Sequence, residues 1–502
     1  MRRGTQLRGG KTSDAGAIAI APTAGWRGVT IIFLIIWLLL LWPLVINRAP
    51  FYSDDSASYF RGGAFGFNSG LLILDHWWQS LFGMTAADAG GDPQTIVAAA
   101  VAESGGTRSV IYSIATYLLR APGNSLVALA IAQAGAVALV ITCLGRLVAP
   151  KSGLWSSVAA GAGVAFLTSA AWYAAYVVPD VLAGVAIAGA VALTVFFDRT
   201  NLAMRMTLLL LVAFCISVHG SHLLVALSTL VAGAAANFWL RRASLAAGLR
   251  RILWFSSPVI LAVAALLGTS YMAFGEASLA PKRYPIQLAR AVADGPGAWH
   301  LRDHCATERY AICEVFGPNP PRNVGDFLWA RNGVRYRASP EQMDRIRAEE
   351  GTIVWRAALE YPVHQIRRSF TNMFLQLFEF GPGDLSFGVR LVGDEDPWLA
   401  EIRPDRPVLK AVGKALIYLS FFASILLLLA VRRRLRSIEI AAISVAAIGL
   451  LANAAVCGIL SGVTDRYQGR VAWVLPALVL MILLRLWTEN RASVAETATA
   501  RL

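Results

Sequence analysis

Two adjacent carboxylates open the chemistry available to this chain, in the stretch Pro50-Phe51-Tyr52-Ser53-Asp54-Asp55-Ser56-Ala57-Ser58-Tyr59. Asp54 and Asp55 come directly after an apolar run, where like charges are costly to desolvate and repel each other. Such a pair persists when it is wet, or when it meets a cation or a proton donor. One reading is a helix N-cap with an acidic first turn. The other is a general base or a metal ligand at a membrane surface. A further acid, Asp180, follows Pro179 in the turn Tyr176-Val177-Val178-Pro179-Asp180. Proline then aspartate is ordinary helix-start chemistry; the alternative is an acid facing the same cavity as Asp54 and Asp55. His219 and His222 stand three apart, so on a helix they share one face. They suit a metal or phosphate contact, or a polar hairpin cap. The basic groups are Lys282-Arg283-Tyr284 and the run Thr464-Asp465-Arg466-Tyr467-Gln468-Gly469-Arg470. A guanidinium at the edge of a helix bundle can fork onto phosphate oxygens or snorkel to lipid headgroups.

These residues are scattered over more than 400 positions, so the elements that carry them decide whether they meet. A chain of 502 residues would ordinarily divide into soluble domains. Here 56 % of residues are hydrophobic and only 15 % are charged, against about 25 % charged in soluble domains. Apolar runs such as 29–46 and 252–274 approach bilayer length. A soluble single core and a disordered chain are excluded, and a polytopic membrane protein is expected. The net charge of +14 comes with no basic-aromatic module, so no nucleic-acid partner is expected.

About 20 apolar residues cross a bilayer. That predicts ten spans: 27–47, 125–148, 154–177, 180–197, 204–219, 221–240, 251–274, 411–431, 437–460 and 470–487. Arginine and lysine concentrate in alternate loops and in the N-terminal tail, which by the positive-inside rule places both termini in the cytoplasm. The organisation expected is a tail 1–26, a transmembrane module 27–274 with a first outer loop 48–124, a large periplasmic loop 275–410, transmembrane helices 411–487 and a second tail 488–502. Loops this long are usually functional, so the working face is expected outside. Segment 64–83, with His76, suits an interfacial helix. Ser339-Pro340-Glu341-Gln342 reads as a capped helix start, with the helix running to about Tyr361-Pro362. A second helix follows, with Val363, Ile366, Phe370, Met373, Phe374 and Leu377 as a stripe for the bilayer surface or the bundle. Cys305 and Cys313 share the large loop and would pair as a disulfide in an oxidising periplasm. Cys143, Cys215 and Cys457 fall inside spans, as packing residues.

This layout resembles the GT-C glycosyltransferases, the membrane-embedded class that takes sugars from polyprenyl-phosphate carriers. The likeness lies in the acidic pair with a following tyrosine (Asp54, Asp55, Tyr59), the acid in the second outer turn (Asp180), the large late outer loop and the outer arginines near the carboxyl end. It implies an all-α polytopic fold of about ten helices with interfacial helices in two outer loops, in a bacterial inner membrane. The implied activity is inverting transfer from a polyprenyl-phosphate sugar to a hydroxyl of a glycan, lipid or protein. Carried over, Asp54 or Asp55 is the base, and Asp180 helps to hold a divalent cation (Mg2+ or Mn2+) or the acceptor. Lys282, Arg283, Arg466 and Arg470 would face the phosphate, with Tyr59, His219, His222 and Tyr467 completing the substrate contacts. The usual Asp-Glu pair is Asp-Asp here, and one more residue precedes Tyr59 than in aminoarabinose transferases, which leaves the identity of the base open. No WWDYG-type motif is present, against an oligosaccharyltransferase. The competing readings are a flippase for lipid-linked sugars, and an O-antigen ligase or polymerase relying on Arg367 and His364.

Overall fold

A computed structural model describes residues 25–64, 66–67, 109–240, 245–393 and 398–499. The terminal tails up to residue 24, and the expected interfacial segment beyond Phe67 with His76, lie outside them. The described chain is nearly all helix and forms a polytopic membrane bundle with a lobe at one end. One departure from all-α is a two-stranded antiparallel hairpin, Val389–Val392 paired with Trp398–Glu401.

Among the described residues, seven helices are long and apolar enough to cross a membrane: Trp26–Asn47, Val127–Val148, Gly220–Leu240, Ala247–Phe274, Pro407–Arg434, Ser437–Leu460 and Asp465–Val494. Each overlaps an expected span. The other three expected spans are shorter helices, Leu154–Leu167, Val181–Thr194 and Leu202–Ser217. The 154–177 span breaks at Thr168, whose backbone is extended and whose hydroxyl donates back to the Val164 carbonyl at 2.6 Å. The chain then restarts as Ala170–Ala174. Val181–Thr194 has 14 residues, all of them buried, and is about 21 Å long against the roughly 30 Å of a hydrocarbon core. Its composition explains its place: alanine, glycine and valine leave thin walls on every side. Val127–Val148, Leu202–Ser217, Gly220–Leu240 and Asp465–Ala472 all pack against it. At Gly184 an added Cβ would sit 2.8 Å from the Arg470 carbonyl and closer still to the Trp473 ring. Glycine there lets the Asp465–Ala472 helix lie directly on the central helix.

The stretch 275–406 is more than a loop. Leu288, Val292, Leu301, Ile312, Phe327 and Ile346 are buried in a core separate from that of the bundle. The helix expected from Ser339 is present as Pro340–Glu360, with both halves of its capping box formed. It is the spine of this core rather than an interfacial helix, packing on Ile286–Asp294, Pro296–Glu308 and Ala311–Phe316. Cys305 and Cys313 are joined by a disulfide, with their Cα atoms 5.6 Å apart. The next helix, Pro362–Phe378, lies along Ser437–Leu460. Its buried residues are Asn372 and Gln376, while Val363, Ile366, Phe370 and Phe374 are exposed. The apolar stripe therefore points away from the bundle. Polar groups make the bundle contact: Gln376 binds the backbone of Thr464 in both directions, at 2.9 and 3.0 Å.

Candidate functional site

Backbone pairing brings the two acidic turns together. Phe51 N–H donates to the Ala175 carbonyl at 2.9 Å and Val177 N–H donates to the Phe51 carbonyl at 3.1 Å. Ser56 then donates its hydroxyl to the Val177 carbonyl at 3.0 Å. The segment after the first span is thus tied to the turn leading to Asp180. Asp54 and Asp55 begin a helix over 54–64, and successive residues on a helix point apart. Asp54 is exposed, whereas Asp55 is half-buried and turns inward.

Asp180 sits at the N-cap position of Val181–Thr194, yet its side chain makes no cap hydrogen bond. Its oxygens go to two arginines instead. Arg470 Nη1 donates to Oδ1 at 3.0 Å and Arg466 Nε donates to Oδ2 at 2.6 Å. Arg466 also donates through Nη1 to Asp55 Oδ2 at 2.7 Å. One planar guanidinium thereby bridges carboxylates 125 positions apart in the chain, which a lysine ammonium could not do with the same fork. The two arginines are four residues apart on the Asp465–Ala472 helix, hence on one face.

Arg470 is fully buried and fully engaged. Besides Asp180 it donates to Asn453 Oδ1 at 2.9 Å and to Ser221 Oγ at 3.0 Å. Asn453 in turn donates to the Tyr467 carbonyl at 2.7 Å. Arg470 therefore holds the helix and the acid in place and is not among the groups that reach the cavity. His222 is buried as well, with Nδ1 2.7 Å from the Cys215 carbonyl. His219 lines the cavity, its Nδ1 2.8 Å from Ser221 Oγ. The histidine pair is divided between wall and interior, with ring centroids 5.1 Å apart.

The cavity has a volume of about 440 Å3 and lies where the bundle meets the lobe. From the bundle, Asp55, Tyr59, His219, Arg466 and Tyr467 line it; from the lobe, Arg283, Tyr284, Trp329 and Arg335. Leu223, Leu266, Leu279 and Leu460 form an apolar part of the wall. Tyr284 and Trp329 meet edge to face with ring centroids 4.9 Å apart. Arg283 is fixed by Glu350, whose Oε2 accepts from Nη2 at 2.8 Å. The other Glu350 oxygen accepts from the N–H groups of Gln287 and Leu288 at 2.8 and 3.0 Å. It supplies from a neighbouring helix the cap that Ile286–Asp294 lacks locally. Burial pushes the Glu350 carboxyl up, against the lowering effect of Arg283 and those N–H groups.

Lys282 does not join this wall; its ammonium pairs with Asp344 at 3.3 Å. Asp54 likewise stays outside. Arg335 and Trp329 have no local sequence signal and enter only because the lobe folds over the bundle. Tyr284 was legible beside Arg283. The residues of the ligase reading are elsewhere: His364 Nε2 lies 3.1 Å from the Asp294 carbonyl, and neither it nor Arg367 lines the cavity.

Three of the four oxygens of Asp55 and Asp180 face guanidinium nitrogens at 3.0 Å or less, so a dication at these oxygens would compete with arginine. Comparison with protein-family models, curated proteins and solved structures finds no match to this chain.

Proposed function

We propose that this chain is an inverting membrane glycosyltransferase of the GT-C type. It moves a sugar from a polyprenyl-phosphate carrier to an acceptor hydroxyl at the periplasmic face of a bacterial inner membrane. The observation that carries the reading is the shared cavity with Asp55 and Arg466 on one wall, arginines and aromatics opposite, and leucines between. Each part answers a need of the reaction. The leucines offer contact to a prenyl chain, and Tyr284 and Trp329 present ring faces and edges to a sugar. Arg283, Arg335 and Arg466 can meet phosphate oxygens.

In this reading Asp55 takes the proton of the acceptor hydroxyl. The oxygen attacks C1 of the sugar as the C1–O bond to phosphate breaks. The phosphate leaves with that electron pair, its charge stabilised by guanidinium groups. No carboxylic acid is needed to protonate it, in contrast to a glycosidase. Attack from the face opposite the phosphate inverts the anomeric carbon. The Asp55–Arg466 contact links the base to donor binding: a phosphate that draws Arg466 Nη1 toward itself turns Asp55 Oδ2 over to the acceptor. Asp180, held by Arg470, keeps Arg466 at the cavity throughout.

The test compares Asp55→Asn with Asp54→Asn in membranes supplied with polyprenyl-phosphate sugars, reading released polyprenyl phosphate. Loss of a general base lowers the rate by about 100-fold to 10,000-fold. That loss is expected for Asp55→Asn, with Asp54→Asn close to the parent. Undiminished release by Asp55→Asn would refute the assignment.

A further inference from the structure

The lobe carries a second constellation that sugar transfer does not use. His300 and His304 are four residues apart on the Pro296–Glu308 helix, so their rings share a face, with centroids 4.5 Å apart. Glu360, the last residue of Pro340–Glu360, reaches both. Its Oε2 is 2.9 Å from His300 Nδ1 and its Oε1 is 3.1 Å from His304 Nε2. The three ligand atoms all lie within 4.8 Å of one another. We propose that His300, His304 and Glu360 form a zinc site that bridges these two helices.

The donor set narrows the metal to those that take imidazole. Two imidazoles and one carboxylate suit zinc, whereas magnesium and calcium prefer an all-oxygen shell. Tetrahedral zinc with bonds of about 2.0–2.2 Å holds its ligand atoms roughly 3.3 Å apart. The two histidine nitrogens lie 2.9 and 3.1 Å from different oxygens of the Glu360 carboxylate, and a set with one ligand atom from each residue lies within 4.8 Å, so binding would draw the three side chains together by at most about 1.5 Å. The shell behind His300 is in place as well. Its Nε2 lies 3.3 Å from Tyr310 Oη, which accepts from Arg356 at 3.2 Å. A partner on the second ring nitrogen orients a metal-bound imidazole. His300 is buried, while the side chains of His304 and Glu360 are 37 % and 35 % exposed. The site thus has a rigid back and an open mouth for an ion and a water ligand. The Cys305–Cys313 disulfide begins one residue after His304, so metal and crosslink would staple the same corner of a small core. None of the three residues lines the cavity of the transfer site.

The experiment uses the full chain purified in detergent, stripped with chelator and titrated with zinc(II). Bound metal is measured by mass spectrometry after desalting, and thermal unfolding is followed with and without zinc. The parent should retain about one zinc per chain and unfold at a higher temperature when loaded. His304→Ala and Glu360→Gln should retain almost none and show no zinc-dependent rise. Both residues are partly exposed, so the variants should fold, checked by an intact Cys305–Cys313 crosslink. Cobalt(II) should give tetrahedral absorption bands in the parent and not in the variants. If the parent holds no zinc, or the variants hold as much as the parent, the three residues only hydrogen-bond and the site is refuted.

Discussion

At the scale of single residues, the type of a side chain was a better guide than its sequence neighbours. Asp180 follows a proline at a helix start, and local chemistry alone assigns it to capping; instead it closes an ion pair with residues 286 and 290 positions away. Asp54 and Asp55 are alike in sequence, and only helix geometry separates the exposed one from the one at the cavity. Arg470 was read as a phosphate contact, yet every nitrogen of its guanidinium is spent inside the protein. This makes a sharp prediction. Removing one partner of a buried pair costs about 3–5 kcal/mol because the other charge is left unpaired. Asp180→Asn should lower the thermal midpoint strongly, because it leaves the buried Arg470 with no carboxylate, and Arg470→Met should lower it less, because Asp180 keeps Arg466. The double variant should cost clearly less than the sum of the two, since the orphaned charge is gone. Thermal unfolding of the four forms as a double-mutant cycle checks this. Additive losses would show that the pair is not the unit the geometry describes.

Among the elements, long apolar helices and the capped Pro340–Glu360 helix were legible because their signals are local: bilayer-length runs and a Ser-Pro-Glu-Gln start. The direction in which a helix faces was not. The stripe of Pro362–Phe378 suits the bilayer surface or the bundle equally; it is exposed, and Asn372 and Gln376 make the bundle contact because backbone groups of the neighbouring turn need partners. In the lobe, Ile286–Asp294 has no capping residue of its own, and nothing in its sequence reveals that Glu350 caps it. That cap has a pH signature. Burial raises the Glu350 carboxyl above its usual value of about 4.3, so the folded chain keeps this proton at pH values where the unfolded chain has released it. Between those two pKa values the folded state binds more protons, and stability falls as pH rises. In Glu350→Gln the group does not titrate, so subtraction isolates it from the other acids. The stability of the parent relative to Glu350→Gln should be greatest at low pH. It should decline as pH rises from about 4.3 to the folded value, and be flat above. Thermal midpoints measured across that range decide it; a difference that grows with pH would mean that Arg283, rather than burial, controls the carboxyl.

For the whole molecule, the arrangement turns on three helices shorter than the spans their apolar runs predict. Leu154–Leu167, Val181–Thr194 and Leu202–Ser217 have 14, 14 and 16 residues, and the seven longer helices alone would place the two ends of the chain on opposite sides. A short helix can still belong to a crossing if protein rather than lipid surrounds it, because buried backbone has no need to match the hydrocarbon thickness. Val181–Thr194 meets that condition fully, and Leu154–Leu167 continues into Ala170–Ala174 after its break. With ten crossings the lobe would sit opposite the arginine-rich turn Arg432–Arg434, as the positive-inside bias expects. If all ten cross, both ends share a side and the cavity lined by Asp55 and Arg466 opens on the other. A cysteine added at either terminus of a chain with Cys143, Cys215 and Cys457 replaced by alanine tests this. Both added thiols should react with a membrane-impermeant maleimide only after permeabilisation, while a cysteine placed at the exposed lobe residue Arg331 should react in intact cells. Opposite accessibility of the two ends would reduce the bundle to an odd number of crossings. It would then remove the basis for placing the cavity on the outer face, where a lipid-linked sugar and its acceptor would meet.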